Sequence, residues 1–210
     1  MPKRTEAYMA DQRAKIARSA LGVLLKKGLH ATSLRDVCAA SGVSMGALYT
    51  HFETKDELVA AACASSFLGD NPVPLPETWS NYLEQLLEEP TPQNMRRFRL
   101  SLQVTAELSQ ADQSPELIDA IYFTSRSWIR SCLSSLQSKG VLELPHGLEA
   151  TAEAHLQIAS GAAYLLASDR NLEWEAAFAT FALCAGTLVQ FVNAEDGRRS
   201  GDKLQGAESQ

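Results

Sequence analysis

The sequence predicts an all-α fold, and two observations support that prediction. Apolar residues recur at helical spacing in nearly every segment, and no run of four or more residues shows sustained strand-like alternation bounded by turns. The apolar stretches are also short, far below the roughly 20 residues that a membrane-spanning helix needs, so no membrane segment is expected. With 210 residues, 45% of them hydrophobic, the chain can bury an ordinary core in one or two domains.

Four helices are predicted in the first third of the chain, each from its own start or stop signal. Gly28 and Gly42 suit helix C-termini, because glycine tolerates the left-handed backbone that often ends a helix. Thr32 or Ser33 can cap the second helix and Ser44 the third, and Thr-x-x-Glu at 54–57 has the spacing of a capping box. The predicted helices span about 8–27, 33–41, 44–52 and 55–68.

A proline-rich segment separates these helices from the rest of the chain. Residues 69–76, GDNPVPLP, contain three prolines in eight positions and are predicted to form a loop. Helices are predicted to begin near Trp79, after Thr91 and after Ser114, the last two with proline at the first helical position. Residues 140–145 are predicted to be a connector. The last two helices are predicted at about 147–168 and 172–193, and the polar tail 196–210 is predicted to be disordered.

Charge is divided unevenly along the chain. Residues 1–57 contain nine Lys or Arg against six Asp or Glu, whereas the remaining residues contain 10 basic and 19 acidic side chains. A basic head on an acidic body indicates that only the first quarter of the chain meets a polyanion. We therefore expect a nucleic-acid-binding domain over residues 1–54.

The second and third predicted helices have the lengths and punctuation of a helix-turn-helix, with a tight turn at Gly42-Val43. In this motif the second helix enters the DNA major groove with its N-terminal residues toward the bases, so its inner face must be apolar. Leu48 and Phe52, four residues apart, together with Val43 supply that face, and Val37 of the preceding helix is placed to meet it.

The outer face of the same helix is suited to DNA. Met45 and Ala47 can touch a thymine methyl group, and Gly46 allows close backbone approach. Hydroxyl, imidazole, guanidinium and ammonium groups can donate to phosphate oxygens, and helix N-termini add backbone amides. None of these residues is a Gln or Asn, so base discrimination is expected to rest partly on DNA shape. The predicted DNA-contacting residues are Thr32, Ser33, Arg35, Ser44, Met45, Gly46, Ala47, Tyr49, Thr50, His51 and Lys55.

Residues 32–58, TSLRDVCAASGVSMGALYTHFETKDEL, closely resemble the DNA-binding signature of the TetR family of transcriptional repressors. The matching positions are Thr32, Val37, Gly42-Val43-Ser44, Gly46, Tyr49, His51-Phe52, Lys55 and Leu58. Cys38 and Ser41 depart mildly from the usual pattern. The resemblance implies a three-helix DNA-binding domain followed by a C-terminal helical ligand-sensing and dimerisation domain, here residues 55–195. It further implies a dimer that binds a palindromic double-stranded DNA operator and is released by a small-molecule effector.

Small residues are frequent in the last two predicted helices, among them Ala159, Gly161, Ala182 and Gly186. They would allow helix backbones to approach closely, either within one chain or, as the pattern favours, in a homodimer through the last two helices. Aromatic and amphipathic residues of the central helices are the candidates for a ligand pocket, although each also suits core packing. They are Trp79, Tyr82, Phe98, Leu102, Gln103, Tyr122, Trp128 and Gln157. Pockets in such bundles are mostly apolar, which favours a small apolar or aromatic effector.

Catalysis and metal binding find less support in the sequence. No glycine-rich phosphate loop, nucleophile elbow or paired nucleophile is recognisable, so no enzyme activity and no cofactor are predicted. His146, Glu149 and Glu153 fall at i, i+3 and i+7 and could hold a cation with His155 nearby. Such groups more often form a solvated helix face, so no metal site is predicted.

Two further expectations concern the cysteines and the location of the protein. The four cysteines, at positions 38, 63, 132 and 184, contain no CxxC pair and are predicted to be small buried apolar residues. The first residues contain no apolar export segment, so a cytoplasmic location is expected. The main rival to a ligand-responsive regulator is an architectural DNA-binding protein with no ligand response.

Overall fold

The fold is all-α, with an N-terminal helix-turn-helix region and a helical C-terminal region, as the sequence predicts. A computed structural model describes residues 5–68, 74–110 and 115–192. Its elements in chain order are α1 (Glu6–Lys27), α2 (Leu34–Ser41), α3 (Met45–His51), α4 (Lys55–Leu68), α5 (Trp79–Leu86), α6 (Pro92–Gln110), α7 (Pro115–Ser138), β1 (Leu142–Glu143), α8 (Leu148–Ser168), α9 (Trp174–Gly186) and β2 (Gln190–Phe191). Within these ranges, no helix combines the length and the apolar character needed to cross a membrane.

Most of the predicted caps of the N-terminal helices are present in the structure. Ser33, not Thr32, caps α2: its hydroxyl accepts from the Asp36 N–H, and the Asp36 carboxylate accepts from the Ser33 N–H at 3.0 Å. Gly42 ends α2 with φ 72°, in the left-handed region that favours glycine. The Ser44 hydroxyl accepts from the Ala47 N–H at 3.2 Å and starts α3.

The predicted capping box at 54–57 is only half formed. The Thr54 hydroxyl accepts from the Glu57 N–H at 3.1 Å, but the Glu57 carboxylate accepts from the Glu53 N–H at 2.8 Å, not from Thr54. The reason lies outside the motif, because the other carboxylate oxygen of Glu57 is held by Arg13 of α1.

The chain departs from the prediction after its last helix. Helix α9 ends at Gly186 instead of continuing to 193, and β2 pairs antiparallel with β1, with Leu142 opposite Phe191. The predicted connector 140–145 therefore contains a strand. Leu142 is fully buried, but a strand of two residues is too short for alternation to reveal it. The predicted disordered tail 196–210 and most of the predicted loop, residues 69–73, lie outside the described residues.

Contacts divide the chain into two compact units. The first comprises Met1–Val73 and Arg99–Thr124, and the second comprises Pro74–Phe98 and Ser125–Gln210, so the division falls within α6 and α7. In the first unit α1 packs against α2, α3 and α4. Its core contains Ile16, Ala20, Leu24, Val37, Leu48, Phe52, Leu58, Ala62, Leu100 and Val104.

The second unit is built around a buried aromatic cluster that includes a histidine. The His155 ring is fully buried; its Nδ1 accepts from the Tyr82 hydroxyl at 2.8 Å, and its Nε2–H donates to the Ala185 carbonyl at 3.1 Å. The Trp79 ring lies 5.2 Å from Tyr82 and 5.5 Å from Phe191, centroid to centroid. Burial lowers the pKa of His155 to about 4, so the imidazole is neutral at pH 7. Its two hydrogen bonds connect α8 to α5 and to α9.

The prediction that all four cysteines are buried is wrong for two of them. Cys63 and Cys132 are buried, and burial raises their thiol pKa values to about 11 and about 12. Cys38 is half-exposed on α2, and Cys184 is exposed on α9 beside the buried Ala185. An apolar neighbourhood in sequence does not place a residue on the inner face of its helix, because successive helical residues point about 100° apart.

Candidate nucleic-acid interface

The turn between α2 and α3 holds the two helices in a fixed relation. Backbone N–H groups of Gly42 and Val43 both donate to the Cys38 carbonyl, at 2.9 and 3.2 Å. The inner face of α3 is anchored by Leu48 and Phe52, both almost completely buried. A helix of only seven residues has little stability alone, so this burial and the Ser44 cap are what maintain α3.

The opposite face of α3 meets solvent. Ser44, Gly46, Tyr49 and Thr50 are exposed, Tyr49 to 52% of its surface, whereas the other predicted contacts of α3, Met45, Ala47 and His51, are half-buried. The Thr50 hydroxyl donates to the Gly46 carbonyl at 3.0 Å, which leaves its oxygen lone pairs toward solvent. The structure thus turns Tyr49 and Thr50 outward on α3 and leaves Met45, Ala47 and His51 partly covered.

The predicted contacts on α2 and α4 are divided between surface and interior. Ser33 and Arg35 are exposed at the start of α2. Thr32 is only 5% exposed, and its hydroxyl donates to the Gly28 carbonyl at 2.7 Å. The Lys55 ammonium lies 3.5 Å from the Leu29 carbonyl, at the limit of a hydrogen bond, so little holds it there. Thr32 is therefore the one predicted contact whose side chain the structure buries and engages internally.

Arg13 of α1 is a residue of this region that the sequence reasoning missed. One terminal nitrogen donates to the His51 carbonyl at the end of α3, and the other donates to Glu57 of α4 at 2.7 Å. The guanidinium carbon also lies 4.1 Å from the centroid of the Phe52 ring. No local pattern could have revealed these contacts, because 38 residues separate Arg13 from His51 and 44 separate it from Glu57. We call Arg13, His51, Phe52 and Glu57 the Arg13 latch.

Two acidic residues of this region are each paired with a cation of α1. Lys27 lies 2.6 Å from Asp36, and its hydrogen bond, followed by those from Ser33, holds the pKa of Asp36 well below its ordinary value. Desolvation alone would raise the pKa of Glu57, but hydrogen bonds from the Glu53 N–H and from Arg13 outweigh it and lower that pKa. Both carboxylates are charged at neutral pH and are matched by a neighbouring cation.

Comparison with known proteins agrees with this geometry. Residues 16–62, which run from α1 into α4, match the family model described as bacterial regulatory proteins, tetR family. The N-terminal region of the chain is therefore similar to the DNA-binding region of the TetR family. The chain is 39% identical over 61 residues to the HTH-type transcriptional regulator TtgR of Pseudomonas putida, 29% of each chain. It is 32% identical over 56 residues to the HTH-type transcriptional repressor KstR2 of Mycobacterium tuberculosis, covering 27% of this chain and 28% of the relative.

The likeness of fold reaches beyond the N-terminal region. The structure of full-length TylP, a TetR regulator from Streptomyces fradiae, superposes with a TM-score of 0.59 at 21% identity, over 97% of this chain and 93% of that one. Sequence similarity to the curated relatives, by contrast, covers less than a third of their length. The TetR fold is therefore shared along the chain, whereas the family model matches residues 16–62.

The residues predicted to line a ligand pocket are only partly brought together. In the second unit Trp79 and Tyr82 are buried, Trp128 stacks on Tyr82 at 6.3 Å between centroids, and Phe98 is half-buried. Gln157 of the same unit is exposed. In the first unit Leu102 and Tyr122 are half-buried, Tyr122 with its hydroxyl 3.2 Å from that of Thr105, and Gln103 is exposed.

Four buried side-chain polar atoms of the second unit have no hydrogen-bond partner within the part of the chain that the structure describes. They are Trp128 Nε1, Gln85 Oε1, Thr151 Oγ1 and Glu88 Oε2, the last of which lies 3.2 Å from Arg97 in an ion pair. Gln85 lies one turn beyond Tyr82 on α5, and Thr151 lies one turn before His155 on α8. A separate cleft of about 560 Å³, lined by Leu75, Arg130, Leu148 and several serines of α7, contains none of the predicted pocket residues.

The alternative of a cation site near His155 is not supported. Glu153 pairs with Arg126 and Glu149 with Arg130, each at 2.9 Å, whereas His155 points into the core. Across residues 5–68, 74–110 and 115–192, no three His, Cys, Asp or Glu side chains are grouped to hold a metal ion.

Helices α8 and α9 pack against each other and expose apolar side chains. Tyr164, Leu165 and Leu183 are each more than half exposed. On α8 the exposed residues include Gln157, Gly161, Tyr164 and Ser168, and on α9 they include Ala176, Thr180, Leu183 and Thr187. Each set recurs every three to four residues, so each helix presents one continuous outer face.

Proposed function

We propose that this TetR-family protein is a DNA-binding transcriptional regulator that acts as a repressor. The observation that carries the proposal is the form of α3: its inner face is buried at Leu48 and Phe52, and its outer face presents Tyr49 and Thr50 to solvent. A short helix held in this way, after a tight turn, is what a major-groove reader requires. TtgR and KstR2 are named as a transcriptional regulator and a transcriptional repressor, in agreement with this role.

The proposed contacts divide into base readers and phosphate contacts. Met45, Gly46 and Ala47, in the first turn of α3, meet the base edges. The hydroxyl, imidazole and cationic groups bind phosphate oxygens. These contacts position the helix on DNA but do not depend on the base sequence. These phosphate contacts are Ser33, Arg35, Ser44, Tyr49, Thr50, His51 and Lys55. Thr32 acts differently, by holding the start of α2 through its bond to the Gly28 carbonyl.

The proposed regulator is a homodimer through α8 and α9. The exposed faces of the two helices combine small residues with Tyr164, Leu165 and Leu183, a composition that suits close, isologous packing. Two α3 helices of such a dimer reach successive major grooves, about 34–36 Å apart, and require a palindromic operator.

The proposed effector is a small, mainly apolar or aromatic molecule bound within the 55–195 domain. The aromatic side chains of Trp79, Tyr82 and Trp128 supply apolar surface. Trp128 Nε1 and Thr151 Oγ1, which have no hydrogen-bond partner among the described residues, supply polar anchors. Movement of α4, at the boundary with the 1–54 domain, transmits the binding of the effector to the DNA-binding helices. For release from DNA, the effector must bind the DNA-free conformation more tightly than the DNA-bound one.

Selection from a random duplex pool tests the proposal. The protein should enrich one palindromic sequence and bind it at least about a thousandfold more tightly than random duplex. Its affinity should also fall steeply with salt, as phosphate contacts require. Equal affinity for selected and random duplexes would contradict specific regulation. An architectural protein would show this lack of preference and no response to any small molecule.

A further inference from the structure

We propose that Arg13 is a positioning residue for DNA recognition: through the Arg13 latch it fixes the orientation of α3 on α1 and α4. The inference rests on the proposed DNA-binding function. It concerns a residue on α1, outside α2, α3 and the predicted set of DNA contacts.

The first contact of the latch is with the C-terminal end of α3. The carbonyl of His51, the last residue of α3, accepts a hydrogen bond from one terminal nitrogen of Arg13. The last carbonyls of a helix lack intrahelical partners and carry the negative end of its dipole. A guanidinium at this end therefore both satisfies the carbonyl and holds the end of α3 at a defined place on α1.

The second contact extends the latch to α4. The other terminal nitrogen of Arg13 donates to Glu57 Oε1 at 2.7 Å, while Glu57 Oε2 accepts from the Glu53 N–H at 2.8 Å. One carboxylate thus bridges α1 and the turn that joins α3 to α4. The guanidinium also lies against the buried Phe52 ring, a favourable cation–π arrangement. The junction between α3 and α4 is held at residues 51, 52, 53 and 57 by one connected group of contacts.

The chemistry of the latch requires arginine. Two different nitrogens of a rigid, planar group bond two acceptors on different helices, whereas a lysine ammonium is a single point on a flexible stem. The side chains of Arg13 and Glu57 keep 39% and 34% of their surface exposed to solvent. Ion pairs this exposed add little to overall stability. The latch therefore acts chiefly on the orientation of α3, and its loss should change DNA recognition more than the free energy of unfolding.

Glu57→Gln distinguishes positioning from simple charge. Removing an acidic side chain from a DNA-binding head strengthens DNA binding when only charge matters, because the repulsion of phosphate is reduced. The latch predicts the opposite sign for the selected duplex, because Arg13 loses its charged partner. We expect Glu57→Gln to weaken binding to the selected duplex by about tenfold, the size of one charge-assisted hydrogen bond. Its affinity for random duplex should stay the same or rise.

Arg13→Lys, the double variant and a control complete the test. Arg13→Lys keeps the charge and should also lose about tenfold on the selected duplex, with unchanged affinity for random duplex and an unchanged salt slope. The double variant should be no weaker than the weaker single variant, because both changes open the same latch. Arg96→Lys, at an exposed position of α6, should bind as the unaltered protein does. Circular dichroism at the binding temperature should show all four variants folded.

Three results would overturn the inference. Undiminished binding of the selected duplex by both single variants would show that the latch does not position α3. Equal loss on selected and random duplexes by Arg13→Lys, with a salt slope smaller by about 1, would assign Arg13 a direct phosphate contact. Additive losses in the double variant would show that the two residues act separately. Failure of the unaltered protein to select any duplex would instead remove the proposed function, and this inference with it.

Discussion

The Tyr82 hydroxyl donates a hydrogen bond of 2.8 Å to Nδ1 of the fully buried His155 ring. The opposite nitrogen of the ring donates to the Ala185 carbonyl, which places a proton on Nε2, and burial lowers the pKa of His155 to about 4, so the ring is neutral at pH 7. Three helices of the second unit, α5, α8 and α9, therefore meet at one titratable side chain. This arrangement makes the stability of the unit sensitive to pH.

We expect stability to fall as the pH decreases from about 6.5 toward 4. The pKa of His155 is lowered by burial from 6.5 to about 4, so the unfolded chain takes up the proton first. The stabilisation that the neutral His155 gives the folded protein amounts to about 3 kcal/mol. It is complete above pH 6.5 and decreases between pH 6.5 and 4. Urea unfolding at several pH values should show this loss of stability in the unaltered protein and not in His155→Gln. His146→Gln, at an exposed position, is the matched control. A difference in unfolding free energy between the unaltered protein and His155→Gln that does not change with pH would contradict the prediction.

Tyr82→Phe should destabilise the protein by about 1–3 kcal/mol, because the buried His155 Nδ1 loses its only donor among the described residues. Phenylalanine fills the same space, so packing with Trp79 and Trp128 is retained. Tyr49→Phe, at an exposed tyrosine, should change the free energy of unfolding by less than about 0.5 kcal/mol. Equal unfolding midpoints for the two variants would show that the Tyr82 bond contributes nothing.

Two glycines of the helix-turn-helix should respond in opposite ways to alanine. Gly42→Ala should cost about 1–2 kcal/mol of stability, because φ 72° strains any residue with a Cβ although nothing lies within 4 Å. Gly46→Ala should stabilise by up to about 1 kcal/mol, since Gly46 is helical and its surroundings are open. Thermal unfolding measures both, and the same sign for both changes would refute the assignment. Gly46→Ala should nevertheless weaken DNA binding if α3 approaches the bases there.

The homodimer is tested by Leu183→Glu on α9. A charge on this side chain, 64% exposed in the single chain, would be buried without a partner in the proposed interface. Light scattering should therefore give a mass near 22.8 kDa for the variant and near twice that for the unaltered protein. Leu75→Glu, at another exposed leucine, should leave the mass unchanged. A dimeric Leu183→Glu variant would place the interface elsewhere.

Short-range signals in the sequence predicted the helix-turn-helix well. Ser33, Gly42 and Ser44 act through backbone atoms three or four residues away, so their capping roles follow from local spacing. The contact of Arg13 with Glu57 and that of Tyr82 with His155 join residues 44 and 73 positions apart, and packing of whole helices creates them. The hydroxyl of Thr32 illustrates the remaining difficulty: its sequence position suits a phosphate contact, but the fold turns it inward.

The central claim is that α3 reads the DNA major groove. The duplex sequence that a variant of α3 selects tests this claim most directly. Selection from a random duplex pool should be repeated with Met45→Ala and, as a matched change on the phosphate side of α3, with Tyr49→Ala. If α3 reads the major groove, Met45→Ala should select an altered sequence in both half-sites. Tyr49→Ala should select the original sequence with lower affinity. Selection of the original sequence at full affinity by Met45→Ala, or an altered sequence by Tyr49→Ala, would contradict the proposed docking of α3.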